Sequence, residues 1–124
     1  MKLAIVGSRS ITKEGVVAEA IEHFKLKPGI IVSGGARGVD RMAAKYAREN
    51  RIPLIEFKPD YERYGRAAPI LRNTTIIEHS DVVLAIHDGV SRGTLDSIRK
   101  ARELGKRMCI FRCSHSSDSC KPMS

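Results

Sequence analysis

Short, unbroken apolar runs alternate along the chain with longer stretches of helical period. The runs at 3–6, 30–32, 54–57, 82–86 and 109–111 lack the apolar–polar alternation of a half-exposed strand. Each therefore predicts a strand covered on both faces, as in a parallel sheet. Four helices are predicted between them. The first, over 12–26, sets Val17, Ala20, Ile21 and Phe24 on one face and stops at Pro28-Gly29. The second, over 38–50, turns Met42, Ala43, Tyr46 and Ala47 inward. The third carries Pro69 in its first turn and buries Ile70, Leu71 and Ile77. The fourth opens on Thr94 as its cap, buries Leu95, Ile98 and Ala101, and ends at Gly105.

Strand and helix in strict alternation predict an α/β fold: a single Rossmann-like open parallel sheet of about five strands with helices on both faces. With no internal repeat and no linker, one domain is expected over 1–112. The end of the chain, CSHSSDSCKPMS at 113–124, has no periodicity and is expected to be a disordered tail.

Composition narrows the class. In 124 residues, 42% apolar and 29% charged, the balance is that of a globular protein. A chain of this size hides roughly two thirds of its unfolded surface, enough for a core without staples or metal. No apolar stretch approaches the ~18 residues of a membrane span, and the apolar run in MKLAIVGSRS is short for a signal peptide, so a cytoplasmic protein without membrane association is expected. Three cysteines, Cys109, Cys113 and Cys120, odd in number and late in the chain, argue against a secreted disulfide framework. Cys113, His115 and Cys120 lack zinc spacing, and no metal is expected. The formal net charge of +8 points to an anionic partner.

Three loops follow predicted strands and carry glycine, hydroxyl and arginine together. They are Gly7-Ser8-Arg9-Ser10, Ser33-Gly34-Gly35-Ala36-Arg37-Gly38 and Asp88-Gly89-Val90-Ser91-Arg92-Gly93-Thr94. In a 3-2-1-4-5 strand order they would lie side by side at the carboxyl edge, where open α/β sheets bind ligands. Glycine lets backbone amides approach an anion, a helix start adds its dipole, and each loop brings one guanidinium, so a phosphate-bearing ligand is expected. Asp40, in the first turn of the second helix, is expected either to hold a sugar hydroxyl or to pair with Arg37 or Arg41. Tyr61 and Tyr64 read either as a lid on a base or as an exposed turn. Arg37, Arg41, Lys45 and Arg48 share one helix face, which reads either as a track for single-stranded nucleic acid or as a solvated face. His79 and His87 flank the fourth strand and are read as element ends.

Several Gly-rich sites are excluded. The first loop is not G-x-G-x-x-G, and Ser33-Gly34-Gly35 stands where a dinucleotide enzyme places its ribose-binding acid. No Gly-Lys-Ser/Thr signature exists, so no resident cofactor is expected. Gly89-Val90-Ser91-Arg92-Gly93 matches the hydrolase elbow G-x-S-x-G, but a single predicted strand follows it and the later histidine is His115 in the tail.

Gly7-Ser8-Arg9, SGGARGVDRMAAKYA at 33–47, Arg72-Asn73 and SDVVLAIHDGVSRGTLDSIRKA at 80–101 resemble the YspA/YpsA-related branch of the SLOG superfamily. That superfamily also includes the Lonely Guy phosphoribohydrolases and the DNA-processing protein DprA. The resemblance implies a Rossmann-like fold and a nucleotide or nucleotide-derived ligand held at the loops above, with Asn73 added to the site. It also implies pairing into a homodimer or higher oligomer. Lonely Guy enzymes carry PGGxGTxxE and an arginine on the preceding helix. Here Gly93-Thr94 is retained, Ser97 occupies the glutamate position and Asp96 falls one residue early. The leading expectation is thus a nucleotide-ligand sensor or carrier. The alternatives are an N-glycosidase acting on nucleoside monophosphates, with Arg72 and Asp96 as candidate catalytic residues, and a DprA-like binder of single-stranded nucleic acid.

Overall fold

The computed structural model of the chain describes residues 1–114 and 119–123. In order the elements are β1 (Lys2–Gly7), α1 (Val16–His23), β2 (Ile30–Ser33), α2 (Val39–Glu49), β3 (Leu54–Glu56), α3 (Tyr61–Tyr64), α4 (Ala68–Glu78), β4 (Val82–His87), α5 (Arg92–Glu103), β5 (Arg107–Cys113) and β6 (Cys120–Met123). A 3-10 turn at Gly65–Ala67 joins α3 to α4. All six strands form one sheet in the order β3-β2-β1-β4-β5-β6. The first five run parallel and β6 is antiparallel to β5.

Every second residue of a strand faces the same way, so each central strand serves two cores. Leu3 and Ile5 of β1, Ile31 of β2, Leu84 and Ile86 of β4 and Phe111 of β5 pack with Val16, Val17, Ala20 and Ile21 of α1 and Val39, Ala43 and Ala47 of α2. Ala4 and Val6, Val32, and Val83 and Ala85 face the other way, onto Ile76 and Ile77 of α4 and Ile98 and Ala101 of α5. All six residues of β4 are buried, as its unbroken apolar run requires. The exception is β3 at the sheet edge, where Ile55 and Glu56 are exposed while Leu54 packs against the first core and Phe57, just beyond the strand, against the second, so this run is covered only in part.

Three expectations from the sequence are corrected. Residues 120–123, placed in a disordered tail, form the sixth strand, with Cys113 opposite Cys120 in the ladder and joined to it by a disulfide. The sequence hides β6 because Cys120 is its one buried residue and Lys121, Pro122 and Met123 are exposed. Its proline is tolerated because the strand lies at an edge. One staple across a hairpin needs no framework of paired cysteines, and Cys109 stays free and buried. The reading of His115 lies outside the described residues.

The second correction concerns inward faces: Ile70, Leu71 and Leu95 are exposed. The buried stripe of α4 includes Asn73 and that of α5 includes Thr94 and Ser97, polar positions that a count of apolar residues passes over. The third is the start of α5, whose cap is Ser91 rather than Thr94.

Leu84, fully buried in the first core, is the test of this two-sided packing. Leu84→Ala is expected to cost about 2–5 kcal/mol, read as a lower urea midpoint with an unchanged denaturant slope.

Candidate functional site

Because β2, β1 and β4 are neighbours, the loops that leave their carboxyl ends are forced together. The loops after β1 and β2 touch at Gly38, which has φ +69°; a Cβ there would stand 2.5 Å from the Ser8 carbonyl oxygen. The loops after β1 and β4 are tied through Ser8, a buried residue whose hydroxyl accepts the Asp88 amide at 3.1 Å and lies 3.4 Å from the Thr94 hydroxyl.

Asp88 organises the third loop. One carboxylate oxygen accepts the amides of Val90 at 2.9 Å and Ser91 at 2.8 Å, and the other accepts the Ser10 hydroxyl at 2.7 Å. Burial alone would raise its pKa, but these bonds overcome that and hold the Asp88 carboxyl down to about 2. The turn they close delivers the chain into α5.

A cleft of about 390 Å³ opens over this junction. Gly7, Arg9 and Ser10 line one side, and Ala36 and Asp40 the next. Arg72 and Asn73 of α4 face Asp88, Ser91, Gly93, Thr94 and Ser97 at the start of α5.

Arg72 is held rigidly. Its Nη1 donates to the carbonyls of Gly34 at 2.9 Å and Phe57 at 3.4 Å, and its Nε donates to Asn73 Oδ1 at 3.1 Å. Gly34 has to be glycine for this: a Cβ would lie 2.6 Å from Arg72 Nη1 and 2.9 Å from Asp40 Oδ2. Guanidinium and carboxylate thus pack against the same backbone atom. Asp40 is buried and accepts the Ala36 amide at 3.1 Å. Its desolvation outweighs that bond and the nearby Arg72 charge, so its carboxyl is raised above the usual aspartate range. Asp40 and Asp88 therefore depart from ordinary behaviour in opposite directions within one cleft.

The other candidates divide. Asn73, buried, donates from Nδ2 toward the Gly93 carbonyl and Asp96 Oδ2, each at 3.4 Å, clamping α4 to α5. Ser33 is buried at the end of β2. Gly89 packs against the Arg112 guanidinium. Asp96 is not among the cleft residues; it pairs with Arg99 at 2.8 Å and Lys100 at 3.2 Å. Although burial opposes them, those partners keep its carboxyl below the usual range.

The three loop arginines do not converge on the cleft. Arg9 lines it, Arg37 lines an adjoining cavity with Gly35, and Arg92 is exposed and lines neither. Arg72 supplies the second cationic group instead. Ser97 is a lining residue that a search for charge overlooks. Its signal was position, three residues beyond Thr94 on the same helix face.

Tyr61 and Tyr64 are exposed; Tyr64 borders a separate groove with Phe57 and Leu71. His87 is buried, with Nε2 4.0 Å from Asp88, and His79 bonds the Thr75 carbonyl at 2.8 Å; neither lines the cleft. Among the described residues no three His, Cys, Asp or Glu gather as a metal ion would require, and no helix is long and apolar enough to cross a membrane.

Residues 1–64, which hold the loops after β1 and β2, match the profile of the YspA, cpYpsA-related SLOG family. The chain belongs to this family. It is also 35% identical over 113 residues to the Gene 61 protein of Mycobacterium phage D29, an alignment that covers 84% of this chain and 90% of that protein.

The Asp88 junction makes this SLOG-family protein sensitive to acid. A carboxyl at about 2 in the folded chain against about 3.9 unfolded contributes stability that is complete above pH ~4 and lost as pH falls toward 2. In urea unfolding between pH 5 and 2, Asp88→Asn is expected to be less stable than the parent at pH 5, with the gap closing as pH falls.

Proposed function

We propose that the protein binds a nucleotide or nucleotide-derived phosphorylated ligand in the cleft between the loops after β1, β2 and β4, as a sensor or carrier. The observation that carries this reading is the meeting of Arg9 and Arg72 with the first turn of α5 around one cavity. Ser91 makes no side-chain cap to that helix, and the amides of residues 92–94 have no carbonyl partner within it. Together with the helix dipole and two guanidiniums they form a receptor for a phosphate. Asp40, which packs with Arg72 against Gly34, offers an acceptor to sugar hydroxyls. Membership of the SLOG family agrees with nucleotide-related binding.

The same geometry favours binding over cleavage. The position taken by the glutamate of Lonely Guy enzymes holds the hydroxyl of Ser97, and Asp96 is engaged by Arg99 and Lys100. A cytoplasmic setting belongs to this reading. So does self-association through the exposed Ile70, Leu71 and Leu95, for which light scattering is expected to give a mass above 13.7 kDa.

Nucleoside 5′-monophosphates of the four common bases, at about a hundredfold their Kd, are expected to stabilise the folded chain by roughly 2.7 kcal/mol, seen as a Tm rise of several degrees for the best base. Arg72→Ala and Arg9→Ala should lose that rise while keeping a native circular dichroism spectrum. An unchanged rise in both variants would move the site elsewhere. The same mixtures, assayed for free base, should show no release above buffer; release that vanishes in Arg72→Ala would make the protein a hydrolase.

A further inference from the structure

Next to the cleft, and sharing Arg9 and Ala36 with it, lies a second cavity of about 400 Å³. Its lining includes three guanidiniums, Arg9, Arg37 and Arg41, and one carboxylate, Glu56. The order of the sheet sets the two cavities in line: the start of α5 beyond β4, then the loop after β1, then the loop after β2 and the end of β3. Arg9, from the central loop, stands between them.

Among the described residues no ion pair engages the cations of this second cavity. Among the described residues the ion pairs join Lys13 to Glu19, Lys45 to Glu14, and Arg99 and Lys100 to Asp96, with His87 beside Asp88. None brings a carboxylate to Arg9, Arg37 or Arg41. Three guanidiniums against the single carboxylate of Glu56 leave this concavity with an excess of positive charge, which a bound anion offsets while accepting paired N–H donors.

We infer that the second cavity is an anion subsite, and that the ligand of this protein carries two separated phosphate groups, as a nucleoside 3′,5′-bisphosphate or a 5′-phosphorylated dinucleotide does. The inference rests on the proposed cleft: one phosphate sits at the start of α5, the sugar lies beside Asp40 and Arg72, and the second phosphate reaches Arg37 and Arg41. Arg9 bridges the two ends. A long nucleic acid strand is the less favoured occupant. The cationic face of α2 continues from Arg41 to Lys45, but Lys45 is engaged by Glu14 at 3.4 Å, and Glu14 and Glu49 border the groove beside it. The run of unpaired positive charge is therefore interrupted at Lys45, one helical turn past the cavity and before the exposed Arg48, which suits a compact ligand.

The test is calorimetric titration at fixed ionic strength with four probes: adenosine 5′-monophosphate, adenosine 3′,5′-bisphosphate, a 5′-phosphorylated adenine dinucleotide and adenosine 5′-triphosphate, with the guanine series run in parallel. The bisphosphate or the dinucleotide is expected to bind at least about tenfold more tightly than the monophosphate, the scale of one added charge-assisted contact. The triphosphate, whose extra charge extends from one end, should not match that gain. In Arg37→Ala/Arg41→Ala the advantage should fall to near unity with monophosphate affinity unchanged, and Arg37→Lys/Arg41→Lys should restore part of it.

An advantage that persists in the double alanine variant, or an equal gain with triphosphate, overturns the subsite and leaves the cleft standing. Binding of the monophosphate with no gain from a second phosphate does the same. Failure of every probe in both series rejects the cleft and the subsite together. A 20-nucleotide single strand that binds more tightly than the dinucleotide and is weakened by Arg48→Ala replaces the compact ligand with a nucleic acid track.

Discussion

A parallel strand cannot return to its neighbour by a tight turn, so the chain must cross over a face of the sheet between consecutive strands. In this protein that constraint organises everything else. The crossovers lay α1 and α2 on one face and α4 and α5 on the other, and the middle strands are apolar on both sides as a result. It also sends the loops of β1, β2 and β4 to a common edge. The cleft is a consequence of connectivity before it is a consequence of chemistry.

At that edge the backbone is held by polar contacts rather than by packing. Asp88 gathers two amides and a hydroxyl, Ser8 joins two loops, and Asn73 bridges α4 to the first turn of α5. Ser8 and Asn73 are buried, where an unmade hydrogen bond is costly, and Asp88 is half-buried. They fix the cavity without filling it. Two aspartates there do different work because their partners differ. Asp88 meets donors enough to stay ionised well into acid, whereas Asp40, with one amide and a neighbouring guanidinium, does not recover its desolvation.

Membership of the SLOG family gives the cleft its context, and the residues that line it give that context its chemistry. Ser97 lines the cavity, and Asp96 is engaged by Arg99 and Lys100 within α5 itself. The excess positive charge is not spread evenly. Arg72 belongs to the cleft, Arg37 and Arg41 to the cavity beside it, Arg9 to both, and Lys45 is paired with Glu14.

The strands, the helices and their alternation were legible in the sequence, because a strand buried on both faces must be continuously apolar and a packed helix must repeat every three to four residues. The three Gly-rich loops were legible for the same reason, as the gaps between those patterns. Three things were not. β6 exposes three of its four residues and is held by a hydrogen-bonded ladder and the Cys113–Cys120 link, neither of which leaves an apolar pattern. The inward faces of α4 and α5 run through Asn73, Thr94 and Ser97, since helices that border a cleft bury polar groups. Most consequentially, one arginine per loop suggested that Arg9, Arg37 and Arg92 would meet. The direction of a side chain is set by helix phase and packing, not by its place in a motif. The tertiary structure divides these three among the cleft, the adjoining cavity and solvent, and brings in Arg72 from α4, anchored on Gly34 and Phe57, which lie 38 and 15 residues away along the chain.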